Sequence, residues 1–102
     1  MFKKGYYITA ELRVKNTDKI SEAKAALTKL CEETLKEPGC SLFTLHQCSE
    51  NKDRFLLWER FEDEAAFKQH FIEQHTKDYV ELDLTEIVQY FQSDIVCTTS
   101  TQ

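Results

Sequence analysis

Glycine and proline are nearly absent from this chain, with two glycines and one proline in 102 residues. So little of either excludes a linker-rich or low-complexity protein. Pro38 and Gly39 are adjacent, so one sharp break in regular structure is expected there. No apolar run approaches the ~18 residues that crossing a bilayer requires, and no membrane partner is expected. The first residues, Met1-Phe2-Lys3-Lys4-Gly5, bring lysines without an apolar stretch behind them, because Thr9, Glu11 and Arg13 interrupt the next segment. A signal peptide is therefore not expected. The cysteines, Cys31, Cys40, Cys48 and Cys97, form no C-x-x-C pair, and with the histidines they show no zinc spacing. They read as free thiols of a cytoplasmic protein with no metal, Cys31 serving as a small core residue on a helix. A Gly-rich phosphate loop, a Ser-His-Asp arrangement and a carboxylate cluster are also missing. Basic residues are outnumbered by acidic ones, for a net charge of −5, and the lysines are scattered. Such a chain is a poor match for a phosphate backbone, so nucleic acid is not an expected partner.

Dense periodic patterning is present over one domain, residues 1–102, with a core from about 6 to 98 and a polar tail at 99–102. Residues 6–14 alternate, with Ile8, Ala10, Leu12 and Val14 on one face, and predict a strand. A polar turn comes next, with Thr17 or Asp18 as a helix N-cap. Ile20, Ala23, Leu27, Leu30, Cys31 and Thr34, with Leu35 at the edge, recur at helical spacing and predict a helix of about 18 residues. Pro38 and Gly39 should stop it, glycine accepting a left-handed turn. Residues 40–49 read as a second strand, and residues 54–61 as a third that is nearly continuously apolar. Asp63 and Glu64 should open a helix with Ala66, Phe67, His70 and Phe71 on its inner stripe. Beyond it lies more helical pattern, with Val80, Leu84, Ile87, Val88 and Phe91 on one side. Residues 93–99 read as the last strand.

The order strand, helix, two strands, helices, strand is that of an α+β, ferredoxin-like βαββαβ fold, a four-stranded antiparallel sheet with helices on one face. The third strand places Phe55, Leu57 and Phe61 on one side and Leu56 and Trp58 on the other. Helices on one face alone would leave an apolar patch in water, so a homodimer formed through the sheet face is expected, with a cavity between sheet and helices or between sheets.

The stretches E-P-G-C at 37–40, R-F-L-L-W-E-R-F-E at 54–62 and A-A-F-K-Q-H-F-I-E-Q-H at 65–75 together resemble the antibiotic biosynthesis monooxygenase domain family. Its members are small dimeric α/β-barrel proteins with ferredoxin-like subunits. The family typically shows a glutamate and then an aromatic residue in the third strand, a helix histidine, and a second histidine five residues on. Here these are Glu59, Phe61, His70 and His75. Two positions depart from the pattern: Phe61 stands where Trp is common, and Glu73-Gln74 precedes His75 where Thr-Pro is common. The resemblance implies a cofactor-independent monooxygenase acting on a small aromatic, quinol or enolisable compound. A non-catalytic dimeric small-ligand-binding protein and a small-metabolite isomerase or processing enzyme of the same superfamily are the alternatives. Haem degradation fits less well, since no asparagine lies between residues 6 and 14 and position 61 is not Trp.

His70, on the apolar face of its helix, is the expected catalytic base. An imidazole suits removal of a phenolic proton, which must precede electron donation to O₂. The plain alternative is a core histidine satisfied by one partner. Glu59 is expected to be half-buried and to hold His70 in one tautomer, or else to form a structural pair with it or with an arginine. His75, His46, Phe43, Phe55, Trp58, Phe61, Phe67 and Phe71 are the candidate substrate-binding residues. His75 equally suits a capping role, His46 an ordinary cross-strand position, and Trp58 the core or the dimer interface.

Overall fold

A computed structural model of the chain describes residues 4–97. The elements are β1 (Tyr6–Val14), α1 (Ile20–Thr34), β2 (Cys40–Gln47), β3 (Arg54–Phe61), α2 (Glu64–His70), α3 (Gln74–Leu82) and β4 (Thr85–Ser93), with a 3-10 turn at Thr17–Lys19 before α1. The strands form one antiparallel sheet in the order β2-β3-β1-β4. This is the α+β, ferredoxin-like arrangement expected. The alternation in β1 buries Ile8, Ala10, Leu12 and Val14 beneath the helices, where they meet Ala23, Leu27 and Leu30 of α1 and Phe43, Phe55, Leu57 and Phe61 of β2 and β3.

The caps differ in detail from expectation. Asn16, not Thr17 or Asp18, caps the first helical turn, its Oδ1 accepting from the Asp18 amide at 2.9 Å. Asp63 caps α2 through the Ala66 amide at 2.8 Å. α1 ends at Thr34, four residues before Pro38, and Leu35 is its C-cap. The turn after it is held by Glu37 N–H donating to Thr34 O at 3.0 Å and Cys40 N–H donating to Glu37 O at 3.1 Å. Gly39 has no left-handed backbone. It is needed for close approach instead, because a Cβ there would stand 2.5 Å from Ala66 Cβ. That contact lets α2 press against the α1–β2 turn, which places His70 beside Glu37.

The C-terminal third corrects the sequence reading. The segment carrying Ile87, Val88 and Phe91 is strand β4, and the predicted helix ends at Leu82. Asp83, in the left-handed region at φ 53°, turns the chain out of α3. The last strand therefore lies over Thr85–Ser93 rather than 93–99; residues 94–97 are not strand, and 98–99 lie outside the described residues. β4 pairs only with β1, so it is a sheet edge. Ile87, Tyr90 and Phe91 on it are more than half exposed. No helix among the described residues is long and apolar enough to cross a membrane.

Candidate active site between sheet and helices

β3 carries two adjacent buried ionisable side chains. Alternation sends Glu59 toward the helices and Arg60 to the opposite face, and each is only 6% exposed. Glu59 sits between Ile8 of β1 and Phe43 of β2. Among the described residues its carboxyl has no hydrogen-bond partner. Burial, with the charge of Glu37 adding to it, pushes the carboxyl up to about 8. At neutral pH Glu59 is thus largely a neutral acid, able to donate as well as accept.

His70, the last residue of α2, is 4% exposed. Aromatic rings surround it, with Phe43, Phe61 and Phe71 at centroid distances of 5.5, 5.4 and 5.2 Å. Its Nδ1–H donates to Glu37 Oε2 at 2.8 Å. The His75 Nε2–H, from the first turn of α3, donates to the same oxygen at 2.6 Å. Thr76 Oγ1 lies 3.3 Å from His70 Nδ1. Glu37, rather than Glu59, therefore fixes the tautomer of His70, leaving Nε2 as the free basic nitrogen. The reason is topological: the turn after α1 brings Glu37 beneath the end of α2, while Glu59 points from the sheet into open space. Glu37 is the site residue that sequence reasoning missed. Its only signal was its place in E-P-G-C, and it is a buried acid in an otherwise exposed turn.

That open space is a cavity of about 460 Å³ between the sheet and α2–α3. Glu59 and His70 both line it, among Ile8, Leu57, Phe67 and Tyr79. Among the described residues no lysine or arginine lines it, and the other acid there, Asp83, accepts from Lys15 Nζ at 2.6 Å. Its rim is apolar: Phe71, Val80, Ile87 and Tyr90 line the cavity yet are more than half exposed. Burial raises the Tyr79 hydroxyl, an effect its 2.5 Å hydrogen bond with Thr85 Oγ1 partly offsets.

Of the candidate binding residues, Phe43, Phe67 and Phe71 line this cavity; Phe71 is at its rim rather than on an inner stripe. Phe55 and Phe61 are buried on the same side of the sheet and pack beneath it. His75 stands behind His70 and lines a separate groove against α1, with Glu33 and Asp78. His46 and Trp58 meet with ring centroids 4.8 Å apart and planes tilted by 51°, on the other face of the sheet, away from the cavity. Cys31 and Cys40 are pushed up by burial to about 11 and about 12, so neither is a ready nucleophile.

Glu37 Oε2, His70 Nδ1 and His75 Nε2 lie within 4.8 Å of one another, donor types that take zinc or iron. Two of the separations, 2.8 and 2.6 Å, are hydrogen-bond lengths. Donors on a tetrahedral zinc stand about 3.3 Å apart. The trio is spaced for protons, and a metal would have to spread it.

The chain belongs to the antibiotic biosynthesis monooxygenase family, whose profile matches residues 5–82. It is 36% identical over 90 residues to the uncharacterized protein YjcS of Bacillus subtilis (strain 168), covering 88% of this chain and 86% of that one. The solved structure of YjcS superposes with a TM-score of 0.81 over 88% of this chain and 97% of its own. A conserved protein from Methanosarcina mazei Go1 is 29% identical, with a TM-score of 0.74 over 86% of this chain and 91% of that one. At 22% identity the fold is shared with a Bacteroides thetaiotaomicron protein of unknown function described as a possible oxidoreductase (TM-score 0.79, 92% of this chain and 100% of that one).

Proposed function

We propose that this protein is a cofactor-independent monooxygenase acting on an uncharged small aromatic, quinol or enolisable compound bound in the cavity between sheet and helices. The observation that carries the reading is one apolar cavity holding both a basic nitrogen, His70 Nε2, and a neutral acid, Glu59. A ring nitrogen without a partner and a protonated carboxyl facing one cavity can serve as base and acid in the same reaction. His70 takes the hydroxyl proton of the substrate, positioned by Glu37 through Nδ1. Glu59 donates a hydrogen bond to the oxygen on which negative charge develops. The resulting anion is electron-rich enough to reduce O₂, and one oxygen atom enters the substrate. The other leaves as water with the two hydrogens the substrate has lost. The apolar wall excludes water from the anion. With no cation in that wall, a carboxylate or phosphate ligand would be bound without charge compensation and is disfavoured.

Proteins of this family are typically dimeric. A homodimer through the sheet face is supported here by the apolar side chains left uncovered on the outer face and on β4, among them Trp58 and Phe91.

The test is O₂ uptake with a panel of uncharged phenols and quinols, comparing wild type with His70→Ala. Loss of a general base should lower turnover by roughly 10²–10⁴-fold. Undiminished turnover in His70→Ala removes His70 from the mechanism. Tight ligand binding by wild type with no O₂ uptake across the panel would replace the enzymatic reading with a binding one.

A further inference from the structure

The cavity and the groove behind it have Leu30 and Tyr79 in common, and the Glu37–His cluster reaches both, one histidine on each side. His70 lines the cavity, and His75, its side chain 20% exposed, lines the groove that also contains Glu33 and Asp78. One carboxylate oxygen bridges the two rings, through Nδ1 of His70 and Nε2 of His75. The outer nitrogen of each ring, Nε2 of His70 and Nδ1 of His75, has no hydrogen-bond partner among the described residues. A purely structural salt bridge needs one histidine. Two histidines joined on one oxygen, with a free nitrogen at each end and a different opening beyond each, have the connectivity of a wire.

We propose that His70, Glu37 and His75 form a proton relay that connects the cavity to the α1–α3 groove, so that protons leave and return on the side opposite the substrate. In the starting state of this relay His75 carries a proton on each ring nitrogen and His70 on Nδ1 alone, and Glu37 Oε2 accepts from both rings. A proton taken from the cavity at His70 Nε2 drives the Nδ1 proton onto Glu37 Oε2, and His75 Nδ1 gives one to water in the groove. One proton enters, one leaves, and the net charge of the trio is the same before and after. The reverse sequence resets it. The benefit is that His70 can pass its proton on while the ligand still fills the cavity. His75 and Glu37 are positioning and relay groups here, since neither lines the cavity.

The relay deepens the reading of His70 as the base of the cavity, but its test needs no substrate. In protein labelled with ¹⁵N-histidine, the exchange of the His70 Nδ1 proton with water is measured by saturation transfer at fixed pH. In His75→Gln the amide can still donate to Glu37 but cannot release a proton. Exchange should slow at least tenfold there. In His75→Ala the groove is left open to a small base, and exchange should rise with added imidazole. Equal rates in wild type and His75→Gln, or no response of His75→Ala to imidazole, would overturn the relay. Neither result would touch the O₂-uptake test of His70, so the two readings fail separately.

Discussion

Glu59 and Arg60 are neighbours on one strand, equally buried, one an acid and the other a base, and they point to opposite faces. Arg60 is bound on several sides. It donates to Ser41 Oγ at 2.8 Å, to Glu62 Oε1 at 3.0 Å and to the Lys4 carbonyl, and its guanidinium lies over the Tyr7 ring at 6.0 Å. Glu59 has no such partner among the described residues and faces a cavity. A buried charge that is paired and hydrogen-bonded fixes the packing around it. A buried acid left without partners costs stability, and a fold that keeps one has a ligand or a proton for it. The two faces of β3 thus separate structural polarity from chemical polarity within one peptide unit.

The largest expected effect lies on the Glu59 side. In the unfolded chain its carboxyl titrates at the ordinary 4.5, and in the folded protein at about 8. Between those values the folded state holds the extra proton, so stability falls as pH rises through that window and is lowest above it. The difference is worth on the order of 4 kcal/mol. Urea unfolding of wild type at pH 5 and pH 9 should show a loss of that order, and Glu59→Gln should remove it. A wild type equally stable at both pH values would show that Glu59 is not held neutral. Arg60→Ala comes next. Stripping Ser41, Glu62 and the Lys4 carbonyl of their donor should cost about 3 kcal/mol at either pH, since the guanidinium stays charged throughout. A pH-dependent cost in that variant would blur the contrast between the two residues. The smallest effect is at the exposed Arg13–Glu86 pair on the same face as Arg60. Arg13→Ala should leave the urea midpoint almost unchanged, and the small difference should vanish in high salt.

Where the pattern was clean, the fold was legible. Perfect alternation in β1, and a continuous apolar run bounded by polar residues in β3, mark Tyr6–Val14 and Arg54–Phe61 residue for residue. β4 was hidden by its own irregularity. Its register against β1 slips between Glu11 and Leu12, which pair with Gln89 and Ile87 and leave Val88 as an extra residue. That bulge breaks the period of two and puts Ile87 and Tyr90 three apart on one face, a spacing that reads as helix. The sheet edge adds to the disguise, because β4 lacks the alternation of burial that a covered strand would have. In the site, Glu59 and His70 were legible as polar residues on apolar stripes. Glu37 was not, because it lies in a turn where periodicity carries no information, and its histidine partners are 33 and 38 residues away.

The contrast between a partnered buried base and an unpartnered buried acid comes down to one proton. The ¹³C chemical shift of the Glu59 side-chain carboxyl, followed from pH 4 to pH 10, reads that proton directly. A midpoint near 8 is the expected result, and a midpoint below 5 would contradict the account of a neutral acid facing the cavity.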